Sequence, residues 1–172
     1  MRKLRISVLL KLGLYCLFLS MSIEAQARKF VHPGILHTTE SIKRMRAQIA
    51  DKAYPAYGSF ELLKSHHCSQ TDYKPFGPFE IISRDGEFRH TKSKMEQDFS
   101  AVYQNALMWA LTGEKAHAEK SLELLLGYAG TLKRIPETND APLLAGLEGL
   151  KIIYATEMLR HTYKKMTVAQ FD

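Results

Sequence analysis

The stretch from Asn105 to Leu132, NALMWALTGEKAHAEKSLELLLGYAGTL, constrains the fold more than any other part of the chain. It reads as two helices broken at Thr112-Gly113, where Gly113 suits the left-handed position just past a helix end. Before the break, Val102, Ala106, Trp109 and Ala110 share a helical face; after it, Ala118, Leu122, Leu125 and Ala129 do the same. Two amphipathic helices joined by so short a turn cannot bury both faces on each other. They need further hairpins on either side, which predicts a layered, all-α body.

The flanking sequence supplies those hairpins. Thr38 or Thr39 can cap a helix in which Ile42, Met45 and Ile49 recur on one side, with Lys43, Arg44 and Arg46 facing solvent. That helix should end near Lys52. Pro55 opens a second helix with Tyr57, Phe60 and Leu63 as its stripe. The third runs from about Lys92 to Leu111, with Met95, Phe99, Val102, Ala106 and Trp109 inward, and the fourth from about Glu114 to Leu132. The fifth takes Asp140 as N-cap and Pro142 in its first turn, reaches about Tyr163, and carries Leu143, Leu147, Leu150, Tyr154 and Met158 as its stripe. Gly146 and Gly149 inside it each cost roughly 1 kcal/mol against Ala, which implies close helix packing or a nearby ligand. Thr167-Val168-Ala169-Gln170 has the form of a capping box and announces a sixth helix just before Asp172, so the chain reads as the front part of a longer protein.

Two segments lack helical period. Residues 70–89, QTDYKPFGPFEIISRDGEFR, hold Pro75, Gly77, Pro78 and Gly86. Loops longer than about 15 residues are uncommon in compact domains and are often functional. Tyr73, Lys74, Phe76 and Arg84 suit stacking on a sugar ring beside a carboxylate. The same residues also fit a packed surface loop with Phe76 and Phe79 tucked into the core. The second segment, Lys133 to Asp140, is marked by Pro136 and Asn139-Asp140.

Residues 1–27 read as a secretory signal. Arg2, Lys3 and Arg5 precede an apolar run, and Ala25-Gln26-Ala27 fits a cleavage site. The uninterrupted run, Leu12 to Ile23, has 12 residues, short of the roughly 20 that span a bilayer. Cleavage removes Arg2, Lys3, Arg5, Lys11 and Glu24, lowering the formal charge from +6 to +3 over residues 28–172. That permits an anionic partner without demanding one, and nothing points to nucleic acid or to a membrane once the signal is gone. The mature chain is expected to be periplasmic or secreted. Its single thiol, Cys68, cannot form an internal disulfide. His66-His67-Cys68 invites a metal, but adjacent residues on a helix point about 100° apart and no closed tetrahedral set is visible. No metal and no cofactor are therefore expected.

Four segments in this order, HPGILHTTESIKRMRAQI, YKPFGPF, ALMWALTGEKAHAEKSLELLLGYAGTL and NDAPLLAGLEGLKIIYATEMLRHTY, resemble the alginate-lyase family of polysaccharide lyases, including glucuronan and alginate lyases. The resemblance covers about His32 to Tyr163. It implies a partial (α/α) toroid of antiparallel helical hairpins around a cleft, and β-elimination on an anionic uronic-acid polysaccharide. A base takes the C5 proton, the neighbouring carboxylate is neutralised, and an acid protonates the departing O4. The resemblance further implies a Tyr and a His for the acid–base work, with an Asn-His or similar pair and an Arg for the carboxylate. No Asn-His pair occurs in this chain, so no catalytic residue is assigned. Tyr73 and Lys74 at the rim, with Asn139, Asp140 and Glu148 along the cleft, are the candidate substrate contacts. The competing reading is a non-catalytic helical scaffold that binds carbohydrate or a protein partner. A regular repeat stack is disfavoured, because no 34-residue self-similarity is visible and the long loop would interrupt it.

Overall fold

The computed structural model of the protein describes residues 30–166, and the account below concerns the compact unit that begins at Val31. The proposed signal over residues 1–27 and the capping box at Thr167–Gln170 lie outside the described residues.

The described residues are helical, with five α-helices: α1 (Thr39–Ala50), α2 (Ala56–Ser65), α3 (Lys92–Thr112), α4 (Lys115–Thr131) and α5 (Ala141–Thr162). Short 3-10 turns lie at His67–Ser69 and Arg89–Thr91. The helix ends follow local chemistry. Thr38 caps α1, its Oγ1 accepting from the Ser41 N–H at 3.1 Å. Gly113 ends α3 at φ 75°, the left-handed conformation that its lack of a Cβ makes inexpensive. Pro55 precedes α2 rather than opening it, and Asp140 makes no side-chain bond at the start of α5, where Pro142 sets the first turn.

Helix α3 is the axis of the structure. Its buried residues Met95, Asp98, Phe99, Ala101, Val102, Asn105, Ala106, Met108 and Ala110 cover more than one stripe, because neighbours reach it from several sides. Helices α4 and α5 both lie along it and touch each other little, and the α1–α2 hairpin meets it from another direction. One apolar cluster joins Ile42 of α1 to Val102 and Ala106 of α3, Leu124 and Leu125 of α4 and Met158 and Leu159 of α5. A second joins Ile82, Met95, Phe99, Tyr128 and Leu144. Burying each such side chain contributes about 1.5–3 kcal/mol. Polar ties fix the register. Arg46, expected on the solvated face of α1, turns its Nε to the Ala110 carbonyl at 2.7 Å. Trp109 Nε1 donates to Thr162 Oγ1 at 2.9 Å while its ring meets Tyr163 edge-on.

Two helix faces differ from the sequence reading. On α4 the buried set is His117, Ala118, Ser121, Leu124, Leu125 and Tyr128, and Ala129 is exposed. On α5 the first half of the expected stripe points outward and the second half inward: Leu143, Leu147 and Leu150 are exposed, Tyr154 is half-buried and Met158 is buried, and the inward set is Leu144, Glu148, Ala155, Met158 and Leu159. The LLAGLEGLKII run is apolar almost all round, so period alone did not choose its face. Pairing chose it. Glu148 binds Lys151 one turn on at 2.7 Å, and Lys151 also donates to Ser100 Oγ of α3 at 3.1 Å. Gly146 and Gly149 have open space where a Cβ would stand, so close packing among the described residues does not account for them.

Candidate functional site

The two aperiodic loops come together. Lys133 N–H donates to the Glu80 carbonyl at 2.8 Å and Ile82 N–H to the Arg134 carbonyl at 3.3 Å, which pairs Ile81 with Arg134 in an isolated parallel bridge. The Lys133–Glu80 side-chain pair at 2.8 Å is exposed on both sides. Such a pair is worth about 0–1 kcal/mol, so the backbone bonds carry the junction. Deeper in, Arg84 spans the seam. Its Nη1 donates to Glu96 of α3 at 2.7 Å, and its Nε lies 4.0 Å from Asp140. Residues 70–89 and 133–140 thus form one continuous surface at the start of α5.

The long loop is pinned from below by Asp98, which has no exposed surface. Its Oδ1 accepts from Tyr73 Oη at 2.8 Å and Phe76 N–H at 3.0 Å; its Oδ2 accepts from Gly77 N–H at 2.8 Å and Tyr128 Oη at 2.7 Å. Four bonds to a charged acceptor, each worth about 1.5–3 kcal/mol, offset a desolvation cost of several kcal/mol. Burial, followed by the hydrogen bonds to Asp98, raises both phenol pKa values well above the ordinary tyrosine range. Both tyrosines are therefore fixed donors and not proton-transfer groups. Gly77 is required by close approach: a Cβ there would stand 2.9 Å from Tyr128 Cζ. Asn105 adds a second tie, donating from Nδ2 to the Cys68 carbonyl at 2.9 Å and accepting at Oδ1 from His117 Nδ1 at 2.8 Å. This bond makes His117 Nδ1 the donor, and burial lowers its pKa.

The candidate contacts divide. Lys74 and Asn139 are exposed and Asp140 is half-buried against Arg84, so all three present polar groups at the loop surface. Tyr73 does not: its ring is buried and its hydroxyl is committed to Asp98, which leaves no face for a sugar to stack on. Glu148 does not either, because it is buried and paired with Lys151 against α3. Phe76 is 52% exposed and Phe79 packs into the second apolar cluster, so of the two aromatics only Phe79 takes the tucked-in position of a packed surface loop. The role of Asp98 had no signal in the sequence beyond an acid on an otherwise apolar helix face.

Charge at this surface is balanced. Residues 70–89 and 133–140 together carry five Lys or Arg and six Asp or Glu, so selectivity for a polyanion has to come from placement rather than net charge. A groove nearby is different in kind. It holds about 430 Å³ between α4 and α5 and is lined by Phe99, Leu125, Tyr128, Leu132, Leu144 and Ile153 among others. Such a lining does not suit a uronate.

The His66-His67-Cys68 trio is closer than helical spacing suggested, its ligand atoms lying within 4.8 Å of one another. The backbone is the reason: His66 is extended, with ψ 137°, and the next three residues form a 3-10 turn. Its atoms are nonetheless committed. His66 Nδ1 accepts from the Cys68 N–H at 3.2 Å, and the fully buried thiol faces the Gln97 carbonyl at 3.6 Å. Burial, then the Asp98 charge, pushes the thiol pKa up, which leaves Cys68 a poor nucleophile.

The chain matches no protein-family model, no curated protein and no solved structure. Among the described residues, no helix is long and apolar enough to cross a membrane.

Proposed function

We propose that this chain contributes to the substrate-holding wall of an exported polysaccharide lyase that cleaves a uronic-acid polymer such as alginate or glucuronan by β-elimination. In this reading the hairpins are part of an (α/α) toroid, and residues 70–89 and 133–140 form the rim of its cleft. The observation that carries the proposal is the union of the two loops. Segments 44 or more positions apart are joined by backbone bonds at Glu80–Ile82 and Lys133–Arg134 and clamped beneath by Asp98. A loop this long held this firmly is what positioning a polymer requires. Lys74 and Arg134 offer cations to the C6 carboxylates, Phe76 offers an apolar face to a sugar ring, and Asn139 offers amide hydrogen bonds. The resemblance to alginate lyases and the leader-like pattern of residues 1–27 supply the reaction class and the exported location.

The test is native electrophoresis of the chain through gels containing alginate, glucuronan or a neutral glucan. Retardation by a uronate polymer alone, weakened by Lys74→Ala combined with Arg134→Ala, is expected. Equal mobility in all three gels would sink the reading. The ultraviolet absorbance of an unsaturated uronate product is expected to stay flat, because no adjacent Asn-His pair of the kind the resemblance implies occurs in the sequence, and the spatial pair Asn105–His117 is buried.

The helical-scaffold alternative keeps one observation of its own, the apolar groove between α4 and α5. Retardation by no polysaccharide, together with concentration-dependent self-association of the chain, would favour it.

A further inference from the structure

We propose that His32, Glu157 and His161 form a binding site for a late first-row divalent cation, with Zn²⁺ the best fit. Glu157 and His161 stand one turn apart on α5 and so share a face. His32 arrives from the segment before α1, 125 positions away in sequence from Glu157. Spacing along the chain could not reveal the group, because tertiary structure assembles it.

The distances are close to those around one ion. Glu157 Oε1 lies 2.6 Å from His32 Nδ1, and Glu157 Oε2 lies 3.5 Å from His161 Nε2. All three ligand atoms lie within 4.8 Å of one another. Ligands at about 2.0–2.2 Å from a tetrahedral Zn²⁺ stand roughly 3.3–3.5 Å apart, so the group needs adjustments of an ångström or so to close on the ion. Two imidazoles and a carboxylate are a ligand set that such ions take, with the fourth position left to water. The carboxylate is already oriented from behind, since Gly34 N–H donates to Glu157 Oε1 at 2.9 Å, the kind of outer contact that steadies a metal ligand.

One feature must change as the ion enters. The His32 and His161 rings are stacked, with centroids 4.0 Å apart and planes 13° apart. Nearly parallel rings cannot both aim an in-plane lone pair at one point. The His32 side chain is 43% exposed and is the one that would have to turn. Its rotation would exchange the ring stack and the His–carboxylate hydrogen bond for two metal–nitrogen bonds and one metal–oxygen bond. The bound ion would then clasp the segment around His32–Gly34 to the last helix. The His66-His67-Cys68 trio meets the same distance criterion, but its thiol is buried, so it serves as the control.

Titration of the metal-free full chain with ZnCl₂ by calorimetry, and with CoCl₂ by visible absorption, tests the proposal. One equivalent is expected to bind, with Co²⁺ bands of a four- or five-coordinate nitrogen–oxygen site. His161→Ala should weaken binding at least tenfold while circular dichroism stays native. His32→Gln, on a more exposed side chain, repeats the test if His161→Ala unfolds. The double variant His66→Ala, His67→Ala should leave binding unchanged. Absence of saturable one-equivalent binding overturns the proposal, as does binding that survives both the His161→Ala and His32→Gln variants.

Discussion

Two surfaces of the molecule invert the usual rule of what goes inside. Beneath the long loop, α3 buries the Asp98 carboxylate completely, and Asn105 and His117 are buried as well. On the outer side of α5, Leu143, Leu147, Leu150 and Ile153 are between 43% and 51% exposed. Partners, rather than hydropathy, set the difference. At Asp98 two phenols and two backbone N–H groups converge, so the charge is better hydrogen-bonded inside than its burial costs. On α5 the pair Glu148–Lys151 draws one face onto Ser100, and the leucines are left facing outward. The first surface is fixed and specific; the second is a contiguous apolar patch of the kind that drives association.

Three changes would break or sharpen that contrast, in descending order of effect. Asp98→Ala leaves two hydroxyls and two N–H groups without their acceptor and should lower stability in chemical denaturation by several kcal/mol, since each buried donor left unsatisfied costs about 1–3 kcal/mol. Proteolysis should then cut within residues 70–89. An unchanged midpoint would mean that the loop holds itself.

Acidification should have the next effect. Burial lowers the pKa of both His117 and His37 from that of an exposed imidazole. The unfolded rings take up protons near pH 6.5 while the folded rings resist until lower pH. The folded state is therefore fully favoured above about pH 6.5 and loses stability as pH falls below it. His117→Gln, which retains a donor for Asn105, should flatten the pH dependence of thermal melting between pH 6.5 and 5. An unaltered slope would remove His117 from the account.

Leu147→Lys should have the smallest effect on folding, within about 0.5 kcal/mol, as expected for a surface position. It should still reduce binding of a hydrophobic dye and slow aggregation of the chain. A loss of stability of several kcal/mol would show that the outer face of α5 is covered after all.

The helices were legible because their signals are local. Thr38, Gly113 and Pro142 mark ends by chemistry that needs no tertiary context, and α3 begins at Lys92 as its periodicity required. The faces of α4 and α5 were less legible. An apolar run such as residues 143–153 has no weak side, and the choice fell to Ser100 on another helix and to the Glu148–Lys151 pair. Reading the site fared similarly. Tyr73 was misplaced because its hydroxyl answers to Asp98, 25 residues away. His66-His67-Cys68 was judged by helical geometry that residues 66–69 do not adopt.

The central claim is that the joined loops, and not the apolar side of α5, receive a uronate polymer. Hydrogen–deuterium exchange of the chain with and without alginate or glucuronan oligosaccharides tests it most directly. The account predicts added protection at residues 70–89 and 133–140 with none along 143–153. Protection confined to 143–153, or none anywhere at saturating oligosaccharide, would contradict it.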